Sequence, residues 1–175
     1  MAKSRLWLGQ TLFGVMLAEL TAALDLLETI DGVNPDRIGV FGLSMGATLA
    51  FWLGALEPRL KAIAHLCCFG DLATLVEQGG HDLHGLYTMV PGLLEQFSTG
   101  GIAGLAAQTP QFAGIGLKEP LTPKLAVEIV VAQARAAYAV SGDESGFTFL
   151  VEPDSGHQET AAMRTEVLRF FRQHL

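Results

Sequence analysis

The sequence predicts a three-layer α/β/α fold built on a mainly parallel sheet. Three observations lead there. Short, β-rich apolar runs alternate with helical segments along the chain. Those runs are almost continuously apolar, as expected of strands covered on both faces. The first of them also passes through Gly42-Leu43-Ser44-Met45-Gly46 directly into a helix.

Taken in order, Leu17, Leu20, Leu24, Leu27 and Ile30 recur at helical spacing and predict a helix over 15–30, which Gly32, Asn34 and Pro35 stop. Residues 37–41 form the first strand, and 47–57 form a helix that ends before Pro58. The apolar run at 60–68 is the second strand. A turn-rich, irregular insert over 79–101 carries His81, His84, Tyr87 and Pro91. The third strand is 111–116, followed by a helix over 124–140, a strand over 147–151 and a closing helix over 160–175. No repeat, low-complexity tract or shift in composition divides the chain, so residues 1–175 are expected to form one domain.

Composition narrows the function classes. Half of the 175 residues are hydrophobic and 17% are charged, which excludes a disordered chain. Mean hydropathy is +0.36, yet no apolar run approaches the roughly 18 residues that cross a bilayer, so no membrane association is expected. A net charge of −7 with 11 Lys and Arg argues against nucleic acid as a partner. The start Met1-Ala2-Lys3-Ser4-Arg5 is basic, but Gln10, Thr11 and Gly14 interrupt the apolar stretch, so a cytoplasmic location is expected rather than secretion. The two cysteines, Cys67 and Cys68, are adjacent and poorly placed for a mutual disulfide. They read as reduced, small apolar side chains.

Ser44 is the strongest candidate for chemistry. Between a strand and a helix, its flanking glycines allow a sharp turn that lifts the hydroxyl above the carboxyl edge of the sheet. The same turn aims the Met45 backbone N–H at the place where an oxyanion would form. A serine needs a base at neutral pH, and where a serine sits on such an elbow the acid and then the histidine follow in chain order. Of five histidines, His157 meets that order, in the loop Glu152-Pro153-Asp154-Ser155-Gly156-His157 before the last helix. His65 lies inside a strand and reads as a core residue, while His174 closes a helix. For the acid, Glu119 fits best because the third strand ends just before it. Asp154 is a rival by nearness, but three residues from His157 it shapes that loop instead. Asp143 sits in a turn at the opposite edge. The insert's His81-Asp82-Leu83-His84 resembles a metal motif but lacks a further ligand, so no metal is expected. His81, His84 and Tyr87 are expected to contact substrate or cap the pocket, with Phe97 either joining the wall or packing in the core.

Three ordered stretches, Pro35–Val40 leading into Gly42–Gly46, Leu117–Pro123, and Gly156–Thr160, resemble the α/β-hydrolase superfamily, and more closely its dienelactone-hydrolase and acetyl-xylan-esterase-like branch. The resemblance spans nearly the whole chain. It implies a carboxylic ester hydrolase with Ser44 as nucleophile, Glu119 as acid, His157 as base and no cofactor. The family more often carries aspartate at the acid position, and glutamate is a known variant of the triad. The family's sheet is larger, with strands ahead of the helix that here begins near residue 15, so the front half of the fold is expected to be absent. The loop that supplies a second oxyanion donor would go with it, a loss worth about two to three orders of magnitude in turnover. The first strand would then present an open edge, inviting a second copy or a complementary chain. A nearly inactive half-fold serving as an interaction subunit is the alternative. A Rossmann-type nucleotide site does not fit the glycine spacing.

Overall fold

The computed structural model describes residues 2–175. Helices are α1 (Ala2–Trp7), α2 (Leu12–Leu27), α3 (Met45–Leu56), α4 (Leu72–Glu77), α5 (Leu93–Gln96), α6 (Thr99–Gly104), α7 (Lys124–Ser141) and α8 (Ala161–His174). Strands β1 (Gly39–Leu43), β2 (Ala62–Leu66), β3 (Gln111–Gly116) and β4 (Phe147–Glu152) form one sheet in the order β1-β2-β3-β4, every pair parallel.

That order dictates the layers. Successive parallel strands that advance in one direction, joined by right-handed crossovers, must put their connecting helices on the same face. Accordingly α3, α6 and α7 share one face, where Phe51, Phe69, Ile102, Ile115, Val130 and Tyr138 are buried together. On the opposite face α8 lays Met163, Val167 and Phe170 against Ala64, Leu66 and Phe112. Both β2 and β3 are buried along their whole length, which is why they read as nearly continuous apolar runs interrupted only by His65 and Gln111. Each fully buried side chain of this size contributes about 1.5–3 kcal/mol.

The expected boundaries shift where capping takes over. Thr11 Oγ1 accepts the Gly14 N–H at 2.9 Å, so α2 begins at Leu12, buries Phe13, Leu17 and Leu24, and leaves Ile30 outside and exposed. The stretch 79–101 holds short helical turns and the start of α6; α6 and α4, which precedes the stretch, are unanticipated. The sequence of α6, Thr-Gly-Gly-Ile-Ala-Gly, has poor helix propensity. Packing of Ile102 and Ala103 against α7 and the Ser98 cap on Gly101 override it. No described helix is long and apolar enough to cross a membrane.

One edge of the sheet is β1, paired with β2 alone. Phe41 and Leu43 on that strand, and Met45 just beyond it, are exposed by 45%, 40% and 43%.

Candidate active site

All four strands point their carboxyl ends the same way, and the loops leaving β1, β3 and β4 converge there. Ser44 occupies the turn from β1 to α3 with φ 58° and ψ −123°. A non-glycine residue in that region carries about 1–3 kcal/mol of strain, which persists only where its surroundings hold it. Here the Ser44 N–H donates to Leu66 O at 2.9 Å, while the Ser44 carbonyl accepts from Ala47 N at the start of α3. Gly42 makes the turn possible: a Cβ there would lie 2.0 Å from the Gly46 carbonyl oxygen.

His157 arrives from the loop after β4. That loop is tied to the end of β3 by the Leu117 N–H on Glu152 O at 3.0 Å and the Lys118 N–H on Ser155 O at 2.9 Å. The approach is close enough that a Cβ on Gly116 would sit 2.3 Å from Ser155 O. Glu119 follows in the same turn with its side chain fully buried, and its Oε1 accepts the Leu121 N–H at 2.9 Å. Its Oε2 accepts a hydrogen bond from His157 Nδ1. On the other side of the ring, His157 Nε2 lies 2.7 Å from Ser44 Oγ. A carboxylate accepting at Nδ1 leaves the Nε2 lone pair free to take the hydroxyl proton. The structure therefore brings Ser44, His157 and Glu119 into one hydrogen-bonded line from three separate loops.

The remaining expected residues divide. Met45 is the first residue of α3, where a backbone N–H has no intrahelical acceptor. His84 and Tyr87 line the narrow pocket beside Ser44, with Phe51, Trp52 and Leu121, around a free volume of ≈ 30 Å³. His84 Nε2 donates to Leu121 O at 3.0 Å, tying the 79–101 stretch to the Glu119 turn. Burial raises the Tyr87 hydroxyl pKa. His81 lies apart from Ser44, on a neighbouring apolar cavity of ≈ 350 Å³ with Leu6, Met89 and Leu94. Phe97 is exposed by 51% and lines neither space. Asp154, 94% exposed, pairs with Lys118 at 2.9 Å. Asp143 holds a turn with Ser145 at the amino end of β4.

Sequence reasoning missed Cys67. It has φ 60°, its N–H donates to Gly114 O at 2.9 Å, and its Sγ donates to Gln158 O at 3.5 Å. Burial and the nearby Glu119 charge raise its thiol pKa. The apolar run at 60–68 reads as strand through residue 68, but β2 ends at Leu66, which leaves Cys67 just past its carboxyl end, the edge where open α/β sheets place their chemistry.

No protein-family model matches the chain. It is 36% identical over 173 residues to YtaP of Bacillus subtilis (strain 168), a hydrolase by name, covering 99% of this chain and 58% of that protein. It is 30% identical over 125 residues to esterase FrsA of Yersinia pestis (strain Pestoides F), covering 61% of this chain and 30% of that one. A glucuronoyl esterase from Solibacter usitatus superposes with a TM-score of 0.75 at 15% identity, over 93% of this chain and 48% of its own. Acetyl xylan esterase 1 from Thermoanaerobacterium sp. JW/SL YS485 superposes with a TM-score of 0.61 at 17% identity, over 90% and 51%. The fold is that of the α/β hydrolases. The chain spans 58% of YtaP and about half of these solved α/β-hydrolase structures. As in the α/β-hydrolase chain order, the serine, the carboxylate and the histidine follow β1, β3 and β4 in turn.

Proposed function

We propose that the protein is a serine hydrolase that cleaves carboxylic esters through a Ser44–His157–Glu119 triad and an acyl-enzyme intermediate. The observation that carries this reading is the imidazole of His157 held between Ser44 Oγ and the buried Glu119 carboxylate. The esterase names of the relatives and of the superposed structures support the ester as substrate.

In this mechanism His157 Nε2 takes the Ser44 proton as Oγ attacks the ester carbonyl, and the Met45 N–H donates to the oxyanion. Glu119 keeps the ring oriented and stabilises the imidazolium that forms. The imidazolium gives its proton to the departing alcohol. Water then attacks the acyl-enzyme, delivering its proton to Nε2, and Ser44 leaves protonated. His84 and Tyr87 contact the substrate from the pocket wall. No step calls on a metal or organic cofactor.

Hydrolysis of p-nitrophenyl acetate by stopped flow tests this. The expected trace has a burst of p-nitrophenol stoichiometric with the protein, absent from Ser44→Ala. Steady hydrolysis undiminished in Ser44→Ala would refute the assignment.

The half-exposed Phe41 and Leu43 on the open edge of β1 support association through that strand, with a second copy or a complementary chain. A monomer by light scattering at micromolar concentration would overturn it.

A further inference from the structure

We propose that Cys67, Glu119 and His157 form a latent site for a soft or borderline divalent cation such as Zn²⁺ or Cd²⁺, and that filling it switches the serine off. One ligand atom from each residue, the Cys67 sulfur, a Glu119 carboxylate oxygen and a ring nitrogen of His157, lies within 4.8 Å of the other two. Nitrogen, sulfur and carboxylate oxygen are the donor set that zinc and cadmium prefer, whereas magnesium and calcium require oxygen. Three protein ligands with space for a water or anion in the fourth position match a tetrahedral ion.

The three donors are held there for reasons unrelated to a metal. Cys67 is fixed by its N–H on Gly114 O and its sulfur on Gln158 O, which places the thiol under the loop that carries His157. Glu119 is fixed by Leu121 N. Both side chains are buried, and the pocket beside Ser44 reaches Cys67 and His157, which gives an ion its route in.

Coordination and catalysis compete for the same atoms. Glu119 Oε2 and His157 Nδ1 are now bonded to each other. An ion bound by the carboxylate and Nδ1 displaces the Nδ1 proton, which moves through solvent to Nε2, while the thiol proton is lost to solvent; Nε2, now a donor, can no longer take the Ser44 proton. The cysteine is what separates this cluster from an ordinary serine-hydrolase acid–base pair, because histidine and one carboxylate alone give too few ligands to hold zinc. The second thiol, Cys68, lies elsewhere, 3.9 Å from His65 Nδ1, and takes no part.

The inhibition half of this proposal rests on the esterase reading; the coordination half does not. The experiment therefore carries two readouts on the full chain. Cd²⁺ added to wild-type, Ser44→Ala, Cys67→Ser and Cys68→Ser protein is followed by the ultraviolet thiolate-to-cadmium charge-transfer band. Fluorophosphonate labelling of Ser44 is measured without metal and with Zn²⁺, Cd²⁺ or Mg²⁺. Serine keeps the hydrogen bond to Gln158 O but is a poor ligand for a soft ion, so Cys67→Ser removes the metal site while preserving the loop. The expected result is a saturable band in wild type, Ser44→Ala and Cys68→Ser, absent in Cys67→Ser. Zn²⁺ and Cd²⁺ should slow labelling by at least about tenfold, reversibly with EDTA, and Cys67→Ser should need about 10–100-fold more metal for the same effect. Mg²⁺ should do nothing. A band that persists in Cys67→Ser, or no band in wild type, overturns the site. Equal sensitivity of Cys67→Ser and wild type overturns the switch. Failure of the esterase reading shows separately, as absent labelling in the metal-free wild type.

Discussion

Two histidines, His65 within β2 and His157 in the loop after β4, carry the same ring into opposite surroundings. His65 points from the middle of β2 into the core, fully buried against the rings of Phe51 and Phe69. Its Nε2 accepts from the Gln111 amide at 2.8 Å, and Gln111 Oε1 lies 3.1 Å from the Tyr138 hydroxyl. Desolvation drops its pKa to about 3, so it stays neutral across the physiological range. His157 stands past the carboxyl end of β4, partly exposed, with a carboxylate on one nitrogen and a hydroxyl on the other. An imidazole becomes a base because of where the chain places it. Within a strand it is a packing piece; on the loops at the carboxyl edge it can exchange protons.

The sharpest way to break this contrast is to delete each ring. On the esterase reading, Ser44→Ala and His157→Ala should each cut kcat by about six orders of magnitude, while His65→Gln leaves the folded protein active. Substantial loss of kcat in folded His65→Gln would erase the distinction. Glu119→Gln should cost about four orders of magnitude in kcat, because an amide stabilises the wrong imidazole tautomer. The same ester assay reads it, and a loss in KM alone would contradict the role given to Glu119.

Stability should show the reverse ranking. His65→Ala removes a filled volume and strands Gln111, so urea denaturation should report a loss of about 2–5 kcal/mol. The pH dependence has a definite sign. The unfolded chain protonates histidine below its ordinary value of about 6.5, whereas the native His65 resists until about 3. The His65 contribution is thus fully present above pH 6.5 and is lost as pH falls toward 3. Denaturation midpoints measured over that window should fall in wild type and flatten in His65→Gln. The smallest effect belongs to Asp154→Asn. Its exposed pairing with Lys118 is worth less than about 1 kcal/mol, and ester turnover should not change. A large loss of turnover there would transfer the acid role from Glu119 to Asp154.

Much of this was legible in the chain. The central strands β2 and β3 read as nearly continuous apolar runs because burial on both faces removes alternation, and Gly42-Leu43-Ser44-Met45-Gly46 marked the elbow because only glycine fits at residue 42. The order of Ser44, Glu119 and His157 could be placed because each follows a strand end. What could not be read depends on tertiary contact. The glycine-rich α6 is a helix only because α7 lies against it. His81 and His84, three residues apart, both border the cavity beside Met89, but only His84 also lines the pocket at Ser44, where its ring is tied to Leu121 O. Cys67 passed as a small apolar residue because nothing local shows that the loop from β4 folds over it.

The central claim is that Ser44 is activated by His157. Labelling with a fluorophosphonate probe, followed by peptide mass mapping, tests it most directly across wild type, Ser44→Ala and His157→Ala. The account predicts modification of wild type at Ser44, none in Ser44→Ala, and labelling of His157→Ala slowed by orders of magnitude. Equal labelling rates in wild type and His157→Ala, or an unmodified Ser44 in well-folded wild type, would contradict it.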